Sequence, residues 1–546
     1  MIRRPASKGV MIMAFIDARN LPAGEVIERD ICIIGAGPAG LALAKEFAAA
    51  SVRVAIIESG DREADGDTQA LAWGRVVGRP YPDLDVVRLR FFGGTSNHWG
   101  GNVKPLDPWD FTERPWIAHS GWPIAAADLA GPYKRAAAFC GLDEHAYDET
   151  KLRLERGLVP WATKDDDIKS YIFHTVGERR IRFGPSYYDF FKTAANIDVF
   201  LNANVQRLAH DEAQKLVSGI IVRTLTDKQL TFRAKRYVLA AGGIENPRLL
   251  LLSRNRAGHA LGNAYDLVGR YFMEHITNPE FGELIPTDPN LNLSYYRAEK
   301  NDWGETWGVF GMAEDMQRRH QLPNIRYQVA DITNVFNQNE NTPGFQSLKA
   351  FSDSLKQGEL PAKAGDHFLN ILRDIDDVVA LAYYRLRYDP DYPLVKLKIV
   401  AIGEQAPNPE SRVYLGEDKD RFGQPVAVLD WRLVEADSIG MQRSTAFLAR
   451  ALARNGIGRL VDTFPENGFD SINPHPHYHH MGTTRMHNDA KLGVVDKDCR
   501  VHGMSNLFIA GSSVFPTVGN VNPTLTIIAL ALRLADHLKT DLGGAA

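Results

Sequence analysis

A glycine-rich turn between two short apolar runs constrains the fold of this 546-residue chain more than any other feature. Residues 31–34 are apolar, a G-x-G-x-x-G spacing follows, and the alanine-rich composition of residues 39–50 predicts a helix. A second apolar run over residues 52–57 ends at Glu58. This strand–helix–strand order predicts the start of a Rossmann-like α/β domain.

Each glycine of the turn has a distinct physical task in such a domain. Gly35 allows the tight turn, Gly37 lets the backbone approach a pyrophosphate, and Gly40 lets helix and strand pack closely. The helix N-terminus presents unpaired N–H groups to the phosphates. Glu58, which lies 18 residues after Gly40, can accept a hydrogen bond from a ribose hydroxyl. The pattern therefore predicts a dinucleotide site, without separating FAD from NAD.

Composition excludes several other classes of protein. The formal charge is −4 and the basic residues are scattered, which gives no nucleic-acid footprint. The three cysteines lie far apart, which argues against a disulfide framework and against a self-contained iron–sulfur cluster. No apolar run reaches the length of a membrane span. The basic start with a short apolar stretch is a poor signal peptide, so a cytoplasmic protein is expected, with export on a signal-bearing partner left open.

Two further glycine pairs indicate places where the backbone approaches something large. Residues 88–105 read RLRFFGGTSNHWGGNVKP, with a histidine and a tryptophan between the pairs. Residues 237–241 form an apolar strand that leads into Gly242 and Gly243, and a helix is predicted from about Pro247. This second turn is equally consistent with a cofactor contact and with an ordinary strand-to-helix connection.

The C-terminal part carries a histidine run followed by a helix start. His475, His477 and His479 alternate, so on an extended segment they share one face. They could ligate a metal, although no carboxylate partner is evident beside them, or supply a catalytic base, or be structural. Asn522 is predicted as the N-cap of an apolar helix whose first position is Pro523.

The chain divides into three blocks on composition. Residues 27–275, with a loop-rich insertion at about 110–185, and residues 471–546 are predicted to form the nucleotide-binding domain. Residues 276–470 are predicted to form a substrate-binding domain. Within this block, strands are predicted over 392–405 and 411–417, a helix over 366–388, and a polar loop over 334–345.

In their order, these motifs resemble the glucose–methanol–choline (GMC) flavoprotein oxidoreductases. The resemblance covers the glycine fingerprint with Glu58, GGTSNHWGG, AAGGIENPRLLLLS, EQAPNPESRVYL, HHMGTTRM and the C-terminal NVNPTLTIIALALRLADHL. It implies FAD rather than NAD. It also implies an α/β fold, α+β overall, in which a Rossmann-like FAD domain of three chain segments carries a substrate domain on an antiparallel sheet.

The resemblance also assigns roles to residues. The H-x-x-G-T pattern of the family places the catalytic histidine at His479, with His480 as its neighbour in the motif, and the second catalytic position at Asn522. This His/Asn type resembles pyranose 2-oxidase and the glycoside 3-oxidases and 3-dehydrogenases. His98, in a Ser-x-His-Trp setting, is either a covalent tether for FAD or a histidine that only hydrogen-bonds near the flavin. The implied cofactor contacts are Gly35, Gly37, Pro38, Ala39, Gly40, Glu58, Gly93, Gly94, Thr95, Ser96, Asn97, His98, Val205, Ala241, Gly242, Gly511, Asn522, Pro523 and Thr524.

By this resemblance, the chain is expected to oxidise a secondary hydroxyl of a sugar or glycoside by hydride transfer to flavin N5, with a histidine as base. The electron acceptor would be oxygen, a quinone or a carrier protein. A non-sugar alcohol as substrate, a lyase on the same scaffold, a non-enzymatic FAD-binding subunit and a metal-dependent enzyme stay open as alternatives. An oligomer is also compatible with the sequence.

Overall fold

The structure, a computed structural model, describes residues 14–143, 145–211, 215–334, 343–356, 358–361, 363–375, 379, 393–462, 469 and 474–543. The apolar stretch near the N-terminus lies largely outside these residues, as do most of the polar loop over 334–345 and the second half of the helix predicted over 366–388. In the described part of that helix, residues 364–373 are helical, as the apolar periodicity predicts.

The strands lie in three sheets. Their bounds are β1 Phe15–Asp17, β2 Val26–Ile34, β3 Val54–Ile57, β4 Gly74–Gly78, β5 Asn102–Val103, β6 Ile168–Val176, β7 Ile197–Leu201, β8 Asn204–Asp211, β9 Leu216–Arg223, β10 Gln229–Leu239, β11 His275–Pro286, β12 Glu299–Asn301, β13 Gly304–Met312, β14 Ile325–Asn334, β15 Leu394–Glu404, β16 Arg412–Lys419, β17 Pro425–Trp431, β18 Gly458–Asp462, β19 His475–Pro476 and β20 Leu507–Ile509.

The helices cover or connect these sheets. Within the described residues their bounds are α1 Pro38–Lys45, α2 Gly66–Gln69, α3 Ala130–Phe139, α4 Glu149–Arg156, α5 Glu178–Ile181, α6 Phe183–Thr193, α7 Gly242–Leu252, α8 Glu314–His320, α9 Pro343–Lys356, α10 Ala364–Arg373, α11 Glu435–Arg454 and α12 Thr524–Gly543. In this part of the chain no helix combines the length and apolarity that a membrane crossing would need.

The first sheet has the order β1-β7-β3-β2-β10-β9-β8, with β20 paired to β10. The contacts of β2 with β3 and β10, and of β10 with β20, are parallel, whereas β8 and β9 form an antiparallel edge. Its strands come from three separate parts of the sequence. Buried apolar residues 31–34 and 54–57 fill its centre because both faces of a parallel sheet are covered.

The second sheet is antiparallel, with the order β18-β11-β15-β14-β13-β6-β5 and with β12 and β19 added to β13 and β11. Strands β4, β16 and β17 form a small third sheet. A parallel sheet of three chain segments beside an antiparallel sheet confirms the predicted fold class. Strands β5 and β6 come before residue 276, where the substrate-binding domain is predicted to begin, and yet they lie in the second sheet. The predicted domain boundaries themselves stay a prediction.

Helix α7 begins five residues earlier than the sequence predicts, at Gly242 rather than near Pro247. Proline inside a helix normally leaves the carbonyl four residues before it without a partner. Here that carbonyl belongs to Gly243, and it accepts a hydrogen bond of 2.5 Å from Thr483 Oγ1. A contact from a distant segment therefore makes the proline tolerable, which no local pattern could show.

Candidate active site

A cavity of about 490 Å³ runs from the glycine turn after β2 to the histidine run after β19. Its volume lies in the range of small-molecule and cofactor sites. The predicted site residues that line it are Gly35, Gly37, Pro38, Ala39, Glu58, Gly94, Thr95, Ser96, His98, Val205, Ala241, Gly242, His479, His480, Gly511, Asn522, Pro523 and Thr524. One continuous space thus brings together residues from both ends of the sequence.

Three predicted cofactor residues lie behind the wall of this cavity. Gly40 packs against the backbone of Gly35, where a Cβ atom would come within 2.0 Å of the Gly35 oxygen. Gly93 has a positive φ of 97° and packs against helix α6, and Asn97 Nδ2 donates to the Phe92 oxygen at 2.9 Å. Their placement behind the wall indicates that these residues shape the backbone around the cavity. It does not support direct contact between them and a cofactor.

The end of the cavity near α1 has the geometry of a dinucleotide cradle. Gly35 has a positive φ of 105°, and its Cβ would lie 2.6 Å from the Ala240 oxygen. A Cβ on Gly37 would meet no protein atom within 4 Å, so that glycine borders open space at the helix start. The buried Glu58 carboxylate accepts N–H groups from Ala36 at 2.9 Å and Gly60 at 3.0 Å, which fixes it at the cavity wall.

The opposite end holds the two predicted catalytic side chains. His479 Nε2 and Asn522 Nδ2 lie 3.3 Å apart. Helix α12 starts at Thr524, and the Asn522 side chain turns to the histidine instead of capping the helix, which corrects the N-cap prediction. Asn522 Oδ1 is buried and has no hydrogen-bond partner among the residues that the structure describes. The pair therefore offers a base and an unsatisfied polar atom in one place.

Two residues behind His479 were not predicted as site residues. His275 Nδ1 lies 2.8 Å from His479 Nδ1, and one carboxylate oxygen of Glu274, Oε2, accepts the backbone N–H groups of His275, His477 and His479 at 3.2, 3.3 and 3.0 Å. Tyr81 donates its hydroxyl to the other oxygen of Glu274. Because His275 and His479 are 204 residues apart, no local pattern could have shown this contact.

Burial keeps the imidazoles of this site neutral. It lowers the pKa of His479 well below the usual value, with the neighbouring His275 and His477 rings and the Arg326 guanidinium acting in the same direction. Burial likewise lowers the pKa of His275 to about 3 and of His477 to about 3. A neutral imidazole can accept a proton, so the site favours His479 as a general base.

The segment that leads to Asn522 is held from several sides. The Gly519 oxygen lies 3.0 Å from His275 Nε2, and the Asn520 oxygen accepts from Arg326 Nη1 at 2.6 Å. The Asn520 amide donates to Tyr171 Oη at 2.7 Å. All of these groups are buried, so the position of Asn522 relative to His479 is set by the second sheet.

The other histidines of the run occupy different surroundings. His480 lies at the cavity wall with its ring near Tyr81, and its buried Nε2 has no hydrogen-bond partner in the described part of the chain. His477 Nε2 lies 2.7 Å from Thr277 Oγ1, while His475 is exposed. Among the described residues, no group of three or more His, Cys, Asp or Glu side chains is arranged to hold a metal ion.

His98 and Trp99 both line the cavity. The half-buried His98 ring lines the space, and burial, followed by the nearby Arg182 guanidinium, lowers its pKa. Trp99 donates its indole N–H to the Ile181 oxygen and packs at 5.4 Å from the Phe183 ring. His98 therefore presents a neutral imidazole to the cavity, and Trp99 is anchored to the surrounding helices.

Acid is expected to destabilise the folded chain, because buried histidines stay neutral where the unfolded chain binds protons. Burial lowers the pKa to about 4 for His174 and to about 3 for His275, His477 and His480. The stability that each contributes is complete above the unfolded pKa of about 6.5 and is lost as pH falls toward the folded pKa, by about 1.4 kcal/mol per pH unit.

Three buried carboxyl groups act in the opposite direction. Burial raises the pKa of Glu274, Asp110 and Asp437 to about 7, so each of them favours the folded state as pH falls from 7 toward 4. With His479 included, five histidines destabilise the folded state in acid and three carboxyl groups stabilise it. We therefore expect the melting temperature to drop between pH 6.5 and pH 4.5 in thermal scans. A melting temperature that rises over this range would contradict the neutral state of the histidines.

Known proteins of one family share these features with this chain. Residues 407–531 match the C-terminal model of the family described as GMC oxidoreductase. The fructose dehydrogenase large subunit of Gluconobacter japonicus is 29% identical over 57% of this chain and 48% of its own length, so this chain spans about half of that relative. The 2-methyl-1,2-propanediol dehydrogenase of Mycolicibacterium austroafricanum is 25% identical over 94% of this chain and 95% of its own.

A solved structure shares the fold along the whole chain. Pyridoxine 4-oxidase from Mesorbium loti superposes with a TM-score of 0.54 at 17% sequence identity, and the match covers 94% of this chain and 99% of that one. The match to the 2-methyl-1,2-propanediol dehydrogenase extends over 94% of this chain and so includes both the glycine fingerprint and the histidine run. Residues 407–531 therefore carry a GMC oxidoreductase C-terminal domain, and the chain as a whole is similar to dehydrogenases and oxidases of that family.

Proposed function

We propose that this chain oxidises a secondary hydroxyl of a sugar or glycoside to the ketone, with FAD as cofactor. The observation that carries the proposal is the His479–Asn522 pair, which lies 3.3 Å apart at the far end of a cavity that begins at the glycine turn. A sugar substrate is supported by the fructose dehydrogenase relative. The full-length match to a diol dehydrogenase makes a non-sugar alcohol the second candidate.

The residues present fit FAD. The open space at Gly37 and the start of α1 suit a pyrophosphate, and Glu58 suits a ribose hydroxyl. His98 and the start of α12 border the region between this cradle and the catalytic pair. When bound, FAD would supply the hydride acceptor, and the positive end of α12 would stabilise negative charge on its reduced ring.

The chain's own residues then perform the proton chemistry. Neutral His479 accepts the hydroxyl proton of the substrate at Nε2. Asn522, whose amide lies beside that nitrogen, hydrogen-bonds the substrate oxygen and holds it in line. Buried residues of the second sheet back the pair on one side, and exclusion of water by a bound substrate would strengthen both interactions.

His98 is the proposed attachment point if FAD is bound covalently. Its neutral ring lines the cavity, as the Ser-x-His-Trp setting suggests. The check is to denature the purified protein in acid and filter it. Yellow colour that stays with the protein, and leaves it in a His98→Ala variant, supports the tether. Release of all colour from the unmodified protein leaves His98 as a non-covalent contact.

The substrate class is tested by anaerobic mixing of the FAD-loaded protein with a panel of sugars and simple alcohols, while the visible flavin absorbance is followed. A methyl xyloside is the sharpest member, because it has neither a free anomeric hydroxyl nor a primary hydroxyl. Bleaching by it supports a secondary ring hydroxyl. Bleaching only by simple alcohols or diols would replace the sugar proposal, and no bleaching by any member would favour a lyase.

The same sample then reports on the acceptor. Rapid return of colour when air is admitted indicates an oxidase. Slow return, accelerated by a quinone, indicates a dehydrogenase that passes electrons to another acceptor. The cysteines Cys32, Cys140 and Cys499 are buried and unpaired with one another. Among the described residues they do not come together in a group that could hold an iron–sulfur cluster for electron transfer.

A further inference from the structure

We propose that His275 is a positioning residue that determines which ring nitrogen of His479 carries the proton. By this inference, His479 faces the cavity with a bare Nε2 because His275 holds the proton on Nδ1. The inference rests on the proposed function, in which His479 is the base. It adds a second histidine, at the start of strand β11 in the second sheet, to the proton chemistry of the site.

The argument begins at the far side of the His275 ring. Its Nε2 lies 3.0 Å from the Gly519 oxygen and 3.4 Å from the Val518 oxygen. Carbonyl oxygens only accept hydrogen bonds, so Nε2 must be the nitrogen that carries hydrogen. His275 is fully buried, and none of the described carboxylates is bonded to its ring, so a second proton on it would be an uncompensated buried charge.

Neutral His275 therefore has a bare Nδ1, which can only accept. The atom it faces at 2.8 Å is His479 Nδ1, which must then be a donor. A neutral His479 with hydrogen on Nδ1 has a lone pair on Nε2. The group beside that nitrogen, at 3.3 Å, is the Asn522 amide Nδ2, which donates. Along the line of contacts from Gly519 through His275 and His479 to Asn522, every hydrogen-bond donor therefore faces an acceptor.

The backbones of the two histidines are fixed together as well. Glu274 Oε2 accepts the N–H groups of both His275 and His479, at 3.2 and 3.0 Å. The two rings meet edge to face with their centroids 5.0 Å apart. Because the main chains share one anchor, the contact between the rings does not depend on loop geometry alone.

A neutral partner has a different effect from the carboxylate that often supports a catalytic histidine. A carboxylate would raise the proton affinity of His479 and charge it before substrate arrives. His275 orients the ring without adding negative charge. When His479 accepts the substrate proton at Nε2, its Nδ1–H bond to His275 is kept, so the ring does not have to rotate during the step.

The first test compares His275→Phe with His275→Asn in the FAD-loaded protein. Phenylalanine keeps the ring volume and removes the acceptor, whereas the Asn oxygen can occupy the place of Nδ1. We expect the rate of flavin reduction by substrate to fall about 10- to 100-fold in His275→Phe and to recover in large part in His275→Asn. His174→Phe, at a fully buried histidine bonded to Thr306 at 3.0 Å, is the matched control and should keep the rate.

A double-substitution cycle shows whether His275 acts through His479. In a His479→Ala background, His275→Phe should cause little further loss, because the base it positions is already absent. An additive loss would overturn the inference. If His479→Ala alone leaves flavin reduction unchanged, the proposed function fails instead, so the two failures are distinguishable.

The second test does not depend on activity, and His479→Ala serves in it only to identify the His479 signals. In protein labelled with ¹⁵N in histidine only, protonated and bare ring nitrogens give well-separated signals, and the His479 signals are those absent from His479→Ala. We expect His479 to show a protonated Nδ1 and a bare Nε2 at neutral pH. A protonated Nε2 with a bare Nδ1 would overturn the inference, whatever the variants do.

Discussion

Replacing His479 by alanine is expected to lower the rate of flavin reduction by substrate by about 10²- to 10⁴-fold, with FAD still bound. The loss follows from the geometry, since His479 Nε2 lies 3.3 Å from Asn522 Nδ2 and both residues line the cavity. Without His479, the hydroxyl proton of the substrate loses the acceptor that lies beside Asn522. Rapid mixing under anaerobic conditions, followed at the flavin absorbance, measures this rate directly.

The control for this variant is His475→Ala. His475 belongs to the same run, but its side chain is exposed and its nearest ring neighbours are His477 and Tyr478. We expect the control to reduce flavin at the unmodified rate. FAD content and melting temperature, compared between the two variants, separate loss of chemistry from loss of fold. A His479→Ala protein that reduces its flavin normally would remove His479 from the mechanism.

The parts of the structure that follow local rules could be predicted from the sequence. The turn at Gly35, the helix after it and the strand that ends before Glu58 all lie within one short segment, and the structure places them as expected. Strands β15 and β16 also follow from alternation and composition. In each case the determining contacts lie within the segment or on a regular face of a sheet.

The parts of the structure that depend on contacts between distant residues could not be predicted from the sequence. The ring of His275 meets His479 across 204 residues, and nothing in the sequence around Met273 and Glu274 distinguishes it. Helix α7 tolerates Pro247 only because Thr483 bonds the carbonyl that the proline leaves free. Asn522 has the composition of an N-cap, yet the buried histidine competes for its side chain and holds it.

Replacing Gly37 by valine is expected to weaken FAD binding by about 10- to 100-fold, a cost of about 1–3 kcal/mol for forcing atoms into occupied space. The new Cβ would meet no protein atom within 4 Å, and Gly37 has an ordinary φ of −79°, so the apoprotein should tolerate the change. The added atoms would instead fill the space that the cradle leaves open for a pyrophosphate.

Two other glycine substitutions make this result interpretable. Gly131→Val adds the same atoms to the exposed start of α3, again with no protein atom within 4 Å, and should leave FAD binding unchanged. Gly35→Val combines a φ of 105° with a Cβ only 2.6 Å from the Ala240 oxygen, so it should lower the melting temperature of the apoprotein itself. Titration of each apoprotein with FAD, beside its thermal scan, gives both quantities. If Gly37→Val binds FAD as tightly as Gly131→Val does, the open space at the start of α1 is not where the pyrophosphate lies. A Cβ at Gly37 meets no described protein atom within 4 Å, so a ligand in that space is what the substitution should affect.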